Sequence, residues 1–200
     1  KMKKRSLITM IMALTLVAVV GIGATLAYLS STTGTLTNTF TVGNVKITQD
    51  ESDESTPDPD DRTEEGNDYQ DIEPGDELKK DPTVTVKAGS AECYVFMKLE
   101  GADALTAQQF TFGGFDASKW VKADGKDTLD GVYRYYETVK KSEADQVLEP
   151  LFTTVTYSLE ATELEEGVTL SNVTIKSCAV QASNMTEETA YEAAAAEIAK

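Results

Sequence analysis

Acidic side chains are the most numerous charged groups in this sequence that could do chemistry. The 200 residues include 34 Asp and Glu against 18 Lys and Arg, a formal net charge of −16. Within the acid-rich segment 50–77, Asp58, Asp60 and Asp61 offer the hard oxygen ligands that calcium prefers, and they form a candidate weak calcium site. Their spacing differs from an EF-hand loop, which also needs a glycine at its sixth position. The alternative is a solvated loop without a bound metal.

Catalytic motifs are scarce in the remainder of the chain. Histidine is absent, which excludes histidine-based catalytic triads and the HExxH zinc site. Nucleophile motifs such as GxSxG or SxxK lack convincing partner residues, and no motif fixes a pair of carboxylates for acid–base work. We therefore predict that the protein is not an enzyme and uses no cofactor.

The two cysteines, Cys93 and Cys178, both fall in strand-like runs. In an exported protein such a pair can form a disulfide. Alternatively, both are small buried apolar residues, as unbonded cysteines often are. Two thiols without histidine or a CxxC partner are too few for a structural zinc site. Both alternatives for the pair stay open.

The first 27 residues have the pattern of a secretory signal peptide. Four basic residues lie among the first five, and the run from Leu7 to Ala27 is uncharged. Ala27 supplies a small residue at the end of the run, so we predict cleavage between Ala27 and Tyr28. The alternative is an uncleaved anchor, because the apolar run could span a bilayer. In both cases the remainder lies outside the membrane.

Removal of residues 1–27 would leave 14 basic against 34 acidic residues, a formal charge of −20. A chain this acidic repels nucleic acid and anionic lipid headgroups. We therefore predict a secreted protein of the extracellular matrix or cell surface that contacts the membrane only before cleavage.

The chain after the predicted leader divides by composition into three parts. Residues 28–49 form an N-terminal strand segment in which threonines alternate with apolar residues, and a change of phase at Gly43-Asn44 predicts a β-bulge or bend. Residues 50–77 form an acidic flexible loop with a single aliphatic residue, Ile72, too few to order it by burial. Residues 78–200 supply the remainder of a single domain.

Hydrophobic patterning predicts an all-β protein. The run 93–99 is apolar on both faces except at Lys98, which predicts a central strand covered on both sides. Helical spacing predicts a short helix at 103–109 and a C-terminal helix at 187–199, capped by Asn184 or Thr186. Further strands are predicted at 82–87, 131–139, 150–157, 168–170 and 172–182. About eight short strands in total favour a jelly-roll-like β-sandwich with an acidic loop and a short C-terminal helix.

Several of these stretches resemble the TasA/camelysin family of Gram-positive bacteria. The junction GATLAYLSSTTGTLTNTFTVGNVKI is the most specific of them. The others are Pro74-Gly75-Asp76 followed by Lys80-Asp81-Pro82, the run Cys93 to Leu99, and Ala179-Val180-Gln181-Ala182. The resemblance implies a jelly-roll fold, leader removal by a SipW-type signal peptidase, secretion, and a role in biofilm matrix fibres. Some members are described as camelysin-type metallopeptidases, an activity that the absence of histidine leaves without support.

Cleavage after Ala27 suggests how fibres would form. The segment from about 28 to 48 could pair with the sheet edge of the next subunit, because strand addition satisfies backbone groups on both partners. A head-to-tail contact does not close on itself and so produces a filament. The alternative is that this segment is the first strand of its own sandwich. The apolar residues of the candidate strand-exchange segment are Leu36, Phe40, Val42, Val45 and Ile47.

Other partners and functions follow from the same features. Expected partners are the signal peptidase, other copies of the chain and matrix proteins, with divalent cations bridging the acidic loops of neighbouring fibres. The competing class is a monomeric surface adhesin or binding module, and a camelysin-type peptidase ranks third. In an adhesin, Trp120 and the aromatic run Tyr133, Tyr135 and Tyr136 could line a ligand face; the alternative is that these residues fill the core.

Overall fold

Antiparallel β-sheets form almost all of the ordered structure. The computed structural model describes residues 31–34, 37–38, 45–56, 58, 60–161 and 170–199. Within these residues the strands form three sheets of six, four and three strands. Every strand pair is antiparallel. The predicted all-β sandwich with a short C-terminal helix is therefore confirmed, whereas its jelly-roll strand order stays a prediction.

The six-stranded sheet is the largest layer. In spatial order its strands are β2 (Thr37–Asn38), β1 (Ser31–Gly34), β13 (Thr174–Gln181), β7 (Cys93–Glu100), β10 (Gly131–Tyr135) and β9 (Trp120–Lys122). The four-stranded sheet runs β11 (Gln146–Val147), β6 (Thr83–Val86), β3 (Ile47–Ser52) and β4 (Arg62–Thr63). The three-stranded sheet runs β5 (Glu77–Lys79), β12 (Thr154–Tyr157) and β8 (Phe110–Gly113).

Strand β7 lies at the centre of the large sheet and is covered on both faces. Because successive side chains of a strand point to opposite faces, Val95, Met97 and Leu99 enter the main core against the two smaller sheets. Phe96 points the other way and enters a second cluster beneath the C-terminal helix. The predicted central strand over 93–99 is confirmed.

Two helices complete the fold of the residues that the structure describes. Helix α1 (Ala102–Ala107) connects β7 to β8, and helix α2 (Glu187–Ile198) packs on the outer face of the large sheet. Thr186 caps α2 in a reciprocal arrangement with Thr189, as the capping-box geometry requires. The predicted C-terminal helix is confirmed, with Thr186 rather than Asn184 as its cap. Among the residues that the structure describes, neither helix has the length and hydrophobicity needed to cross a lipid bilayer.

Several predicted elements differ from the structure in extent. The strand predicted over 131–139 ends at Tyr135, and the chain bends at residues 136–137. Val139 then forms only an isolated bridge with Cys93. The bend predicted at Gly43-Asn44 and most of the strand predicted at 168–170 lie outside the described residues.

Candidate functional site

The N-terminal segment lies at one edge of the large sheet. Strand β1 pairs with β13, which places Ser31 opposite Ala179, Thr32 opposite Cys178 and Thr33 opposite Ser177. Strand β2 pairs with β1 on the other side and is the outermost strand at this end of the sheet. The backbone of β1 thus satisfies an edge of β13 that would otherwise present unpaired N–H and C=O groups.

The residues predicted for strand exchange divide into two groups. Val45 and Ile47 are buried in the main core of their own domain, where Ile47 lies opposite Val86 in the β3–β6 pair. Leu36, Phe40 and Val42, like the predicted cleavage-site residues Ala27 and Tyr28, lie outside the described residues. Within the described structure, the far end of the segment is therefore part of the fixed core.

Cys93 and Cys178 are buried but not joined by a disulfide. They occupy neighbouring strands, with Cys93 opposite Gln181 and Cys178 opposite Phe96. Cys93 enters the main core and Cys178 enters the cluster beneath α2, so their side chains point to opposite faces of the sheet. A disulfide needs Cβ atoms directed at each other. Of the two alternatives that the sequence left open, the disulfide is contradicted, and the alternative of two small buried residues describes the structure.

Burial also affects the chemistry of Cys93. Loss of solvent, with a smaller contribution from the charge of Glu92, raises the pKa of the Cys93 thiol to about 12. A thiol with so high a pKa is almost entirely protonated at neutral pH and is a poor nucleophile.

The three candidate calcium ligands are not assembled into a site. Asp58, Asp60 and Asp61 are all exposed, and the Asp58 carboxylate accepts a hydrogen bond from Asp60 N at 3.0 Å. Among the residues that the structure describes, no group of three or more His, Cys, Asp or Glu side chains is placed to hold a metal ion. The geometry therefore offers the predicted calcium site no support.

The acidic segment 50–77 is partly ordered, contrary to the expectation of a solvated loop. Its first residues end strand β3, and Arg62 begins the short strand β4 beside them. The Arg62 guanidinium contacts Asp50 at 2.5 Å and Asp81 at 3.1 Å. Asp81 also accepts from Ser52 N at 2.6 Å and from Ser52 Oγ at 2.9 Å. These contacts attach the segment to the sheet.

The same contacts control the protonation of Asp81. Burial would raise the pKa of its carboxyl, but hydrogen bonds from Ser52 and Arg62 and the charge of Arg62 outweigh burial, and the pKa is lowered. The charged form of Asp81 is therefore the one that the fold stabilises.

A second contact within the acidic segment is more deeply buried. Lys80 Nζ lies 2.7 Å from Glu51 Oε2 and 3.0 Å from Oε1. Asn67 Nδ2 donates to the same Oε1 at 3.0 Å. Sequence reasoning missed this group, because no local pattern distinguishes one glutamate among fourteen acids. The only available signal was the Lys80-Asp81 pair that follows the acidic run.

The aromatic residues considered for a ligand face mostly fill the core. Trp120, Tyr133 and Tyr135 are buried, whereas Tyr136 is exposed. Burial, with smaller effects from nearby aspartates, raises the pKa of Tyr133 to about 12. Lys119 Nζ lies 4.8 Å from the centre of the Tyr136 ring. The alternative of core packing thus holds for three of the four residues.

Comparison of the chain with models of known protein families, with curated proteins and with solved structures finds no match. Function is therefore inferred from the residues and the geometry described above.

Proposed function

We propose that this chain is a secreted structural protein that forms or decorates extracellular biofilm-matrix fibres, by head-to-tail strand addition after removal of its leader. The observation that carries the proposal is the position of β1. It is the first strand of the described structure, and it pairs with β13 near one end of the large sheet, where only the two-residue strand β2 lies outside it.

Strand exchange needs a segment that can leave one domain and enter another in the same register. Backbone pairing with β13 depends on N–H and C=O groups, so the same segment of a second copy would make the same ladder. We limit the exchanged segment to residues 28–44, because Val45 and Ile47 are buried in their own core. Removal of those two residues from their domain would open the main core.

Surface charge suits such a fibre. The acids greatly outnumber the basic residues, and like charges on neighbouring fibres repel each other at distances within the Debye length. This repulsion favours end-to-end growth over sideways clumping. It also makes bundling sensitive to salt.

One introduced cysteine, in the variant Thr32→Cys, tests strand exchange between copies of the chain directly. Thr32 and the native Cys178 are directly opposite each other in the β1–β13 pair. Such residues have Cα atoms about 4.5–5.5 Å apart, within the range of a disulfide. We expect mature Thr32→Cys oxidised as a monomer to form an internal bond and to stay monomeric. The same variant oxidised after assembly should give a covalent ladder on non-reducing gels.

Thr33→Cys is the matched control. Residue 33 lies opposite Ser177 rather than Cys178 in the register of the two strands, so the variant should assemble without forming the ladder. Electron microscopy of the reduced proteins records fibres in both variants. Mature protein that stays monomeric at high concentration, or assembled Thr32→Cys that yields only internally bonded monomers, would contradict strand exchange.

A monomeric adhesin is the second candidate, favoured by one exposed patch. Val121 and Tyr136 are among the exposed large hydrophobic residues, and Lys119 lies over the Tyr136 ring beside edge strand β9. An adhesin would bind a glycan or a protein through this patch without polymerising. Loss of such binding in Tyr136→Ala, with no fibres in the wild type, would favour this candidate.

A further inference from the structure

Three side chains that could form a covalent bond meet between the acidic segment and the sheets. Lys80, in the connection from β5 to β6, places its amine against the carboxylate of Glu51 in β3. Asn67, in the acidic segment, donates its side-chain amide to the same carboxylate. The Lys80 amine and the Asn67 amide nitrogen each lie 3.0 Å from Glu51 Oε1, so they are at most twice that distance apart.

Hydrogen bonds set the orientation of the Asn67 amide. Its Nδ2 donates to Glu51 Oε1 and to Ser52 O at 2.7 Å. Its Oδ1 accepts from Glu54 N at 2.8 Å. The opposite orientation would place oxygen against two acceptors. The carbonyl therefore faces a backbone N–H that polarises it, and the leaving nitrogen faces the carboxylate.

The surroundings limit the access of water. The side chains of Lys80 and Glu51 are 13% and 7% exposed. The Lys80 backbone is held by a hydrogen bond from its N–H to Thr153 O at 3.1 Å, and the Tyr69 hydroxyl donates to Lys79 O. Burial, followed by the charges of Glu51 and Glu54, raises the pKa of the half-buried Tyr69.

We propose that Lys80 and Asn67 form an intramolecular isopeptide bond, with Glu51 as the acid–base catalyst. Glu51 takes a proton from the Lys80 ammonium, and the Nζ lone pair attacks Cγ of Asn67. The N–H of Glu54 stabilises the oxygen of the tetrahedral intermediate. Glu51 delivers this proton to Nδ2 and takes the second proton from Nζ, the Cγ–Nδ2 bond breaks, and the departing ammonia carries that second proton away as ammonium. One amide replaces another, so nothing is oxidised or reduced, and Glu51 is regenerated.

The bond would anchor the acidic segment to the sheets. It joins residue 67 of the segment to residue 80 at the entrance to β6, beside the Arg62 contacts with Asp50 and Asp81. Closing a loop covalently removes conformations from the unfolded chain, as a disulfide does. Cys93 and Cys178 do not form a disulfide, so this bond would be a covalent constraint of a different chemical kind.

Intact-mass spectrometry of the folded full chain tests the proposal. We expect a mass below that of the sequence by one ammonia, and after proteolysis a branched peptide that joins residues 67 and 80. In Lys80→Arg, which keeps the positive charge but lacks a nucleophilic amine, and in Asn67→Ala, which lacks the carbonyl, the mass should be that of the sequence. Lys79→Arg, in the exposed neighbouring position, is the matched control and should keep the mass loss.

Two results would overturn the proposal. The first is a folded wild-type chain with the full calculated mass, which would make the group an ordinary ion pair. The second is an ammonia loss that persists in Lys80→Arg, because Asn67 is followed by Asp68 and can also lose ammonia by forming a succinimide with its own backbone. Circular dichroism of each variant confirms that the mass was measured on a folded chain.

Discussion

The contact between helix α2 and the large sheet can be tested with Ile198→Ala. Ile198 is 1% exposed and packs in the cluster that contains Phe96 and Cys178. An isolated helix of twelve residues is marginal in water, so α2 depends on this contact for its order. Truncation of Ile198 should therefore favour local opening of the helix.

The expected magnitude follows from the side chain removed. Truncating a buried isoleucine to alanine lowers the free energy of unfolding by about 2–5 kcal/mol. We expect the lower end, about 2 kcal/mol, because Ile198 is the last residue of α2 and its surroundings can collapse into the space. At about 1.4 kcal/mol per tenfold change, the open state should become roughly 30 times more populated.

Alkylation of the two cysteines reports on this opening. Cys178 lies beneath α2, whereas Cys93 lies in the main core. When local opening of the helix limits the labelling rate, a thiol reagent should label Cys178 roughly 30-fold faster in the variant. Cys93 should keep its wild-type rate and serves as the internal reference. Mass spectrometry of digested samples over time measures both rates.

Glu192→Ala is the matched control. Glu192 is exposed on the same helix, and its truncation should leave both labelling rates nearly unchanged. Equal acceleration at Cys93 and Cys178 would mean that the whole domain opens, and an unchanged rate at Cys178 would mean that α2 does not protect it. Either result would refute the assignment of separate cores to the two faces of the sheet.

Two further predictions concern half-buried carboxylates. The pKa of Asp81 is lowered in the folded state, so the folded chain binds fewer protons than the unfolded chain. The stability that Asp81 contributes is therefore lost as the pH falls through its folded pKa. In urea titrations, the loss of unfolding free energy in Asp81→Asn relative to wild type should shrink below about pH 4. Asp130 accepts from Ala102 N at 2.7 Å and Gly101 N at 3.1 Å at the start of α1, so Asp130→Ala should lower the free energy of unfolding by about 1–3 kcal/mol, with a smaller loss in Asp130→Asn. A deficit for Asp81→Asn that grows in acid, or equal losses for both Asp130 variants, would contradict these assignments.

Long strands were predictable because their hydrophobic pattern extends over many residues. The run 93–99 became Cys93–Glu100, and 172–182 became Thr174–Gln181. Strands of two or three residues, such as Arg62–Thr63 and Gln146–Val147, contain too little pattern to be recognised. Their pairing partners, rather than their own residues, make them strands.

Features that depend on how neighbouring strands are aligned could not be predicted from the hydrophobic pattern of the sequence. Cys93 and Cys178 point to opposite faces because of how β7 aligns with β13, and a shift of one residue would reverse the face of either cysteine. The burial of Glu51 likewise depends on Lys80, which reaches it only after the chain has turned. Local sequence contains neither relationship.

The pairing of β1 with β13 sets an order of events for a newly made chain. Ribosomes synthesise β1 early, but its neighbour β13 emerges only after most of the domain has been made. Contacts between such distant parts of a chain form slowly. During translation β1 and β2 therefore wait without β13, and the sheet can be completed only when that last strand arrives.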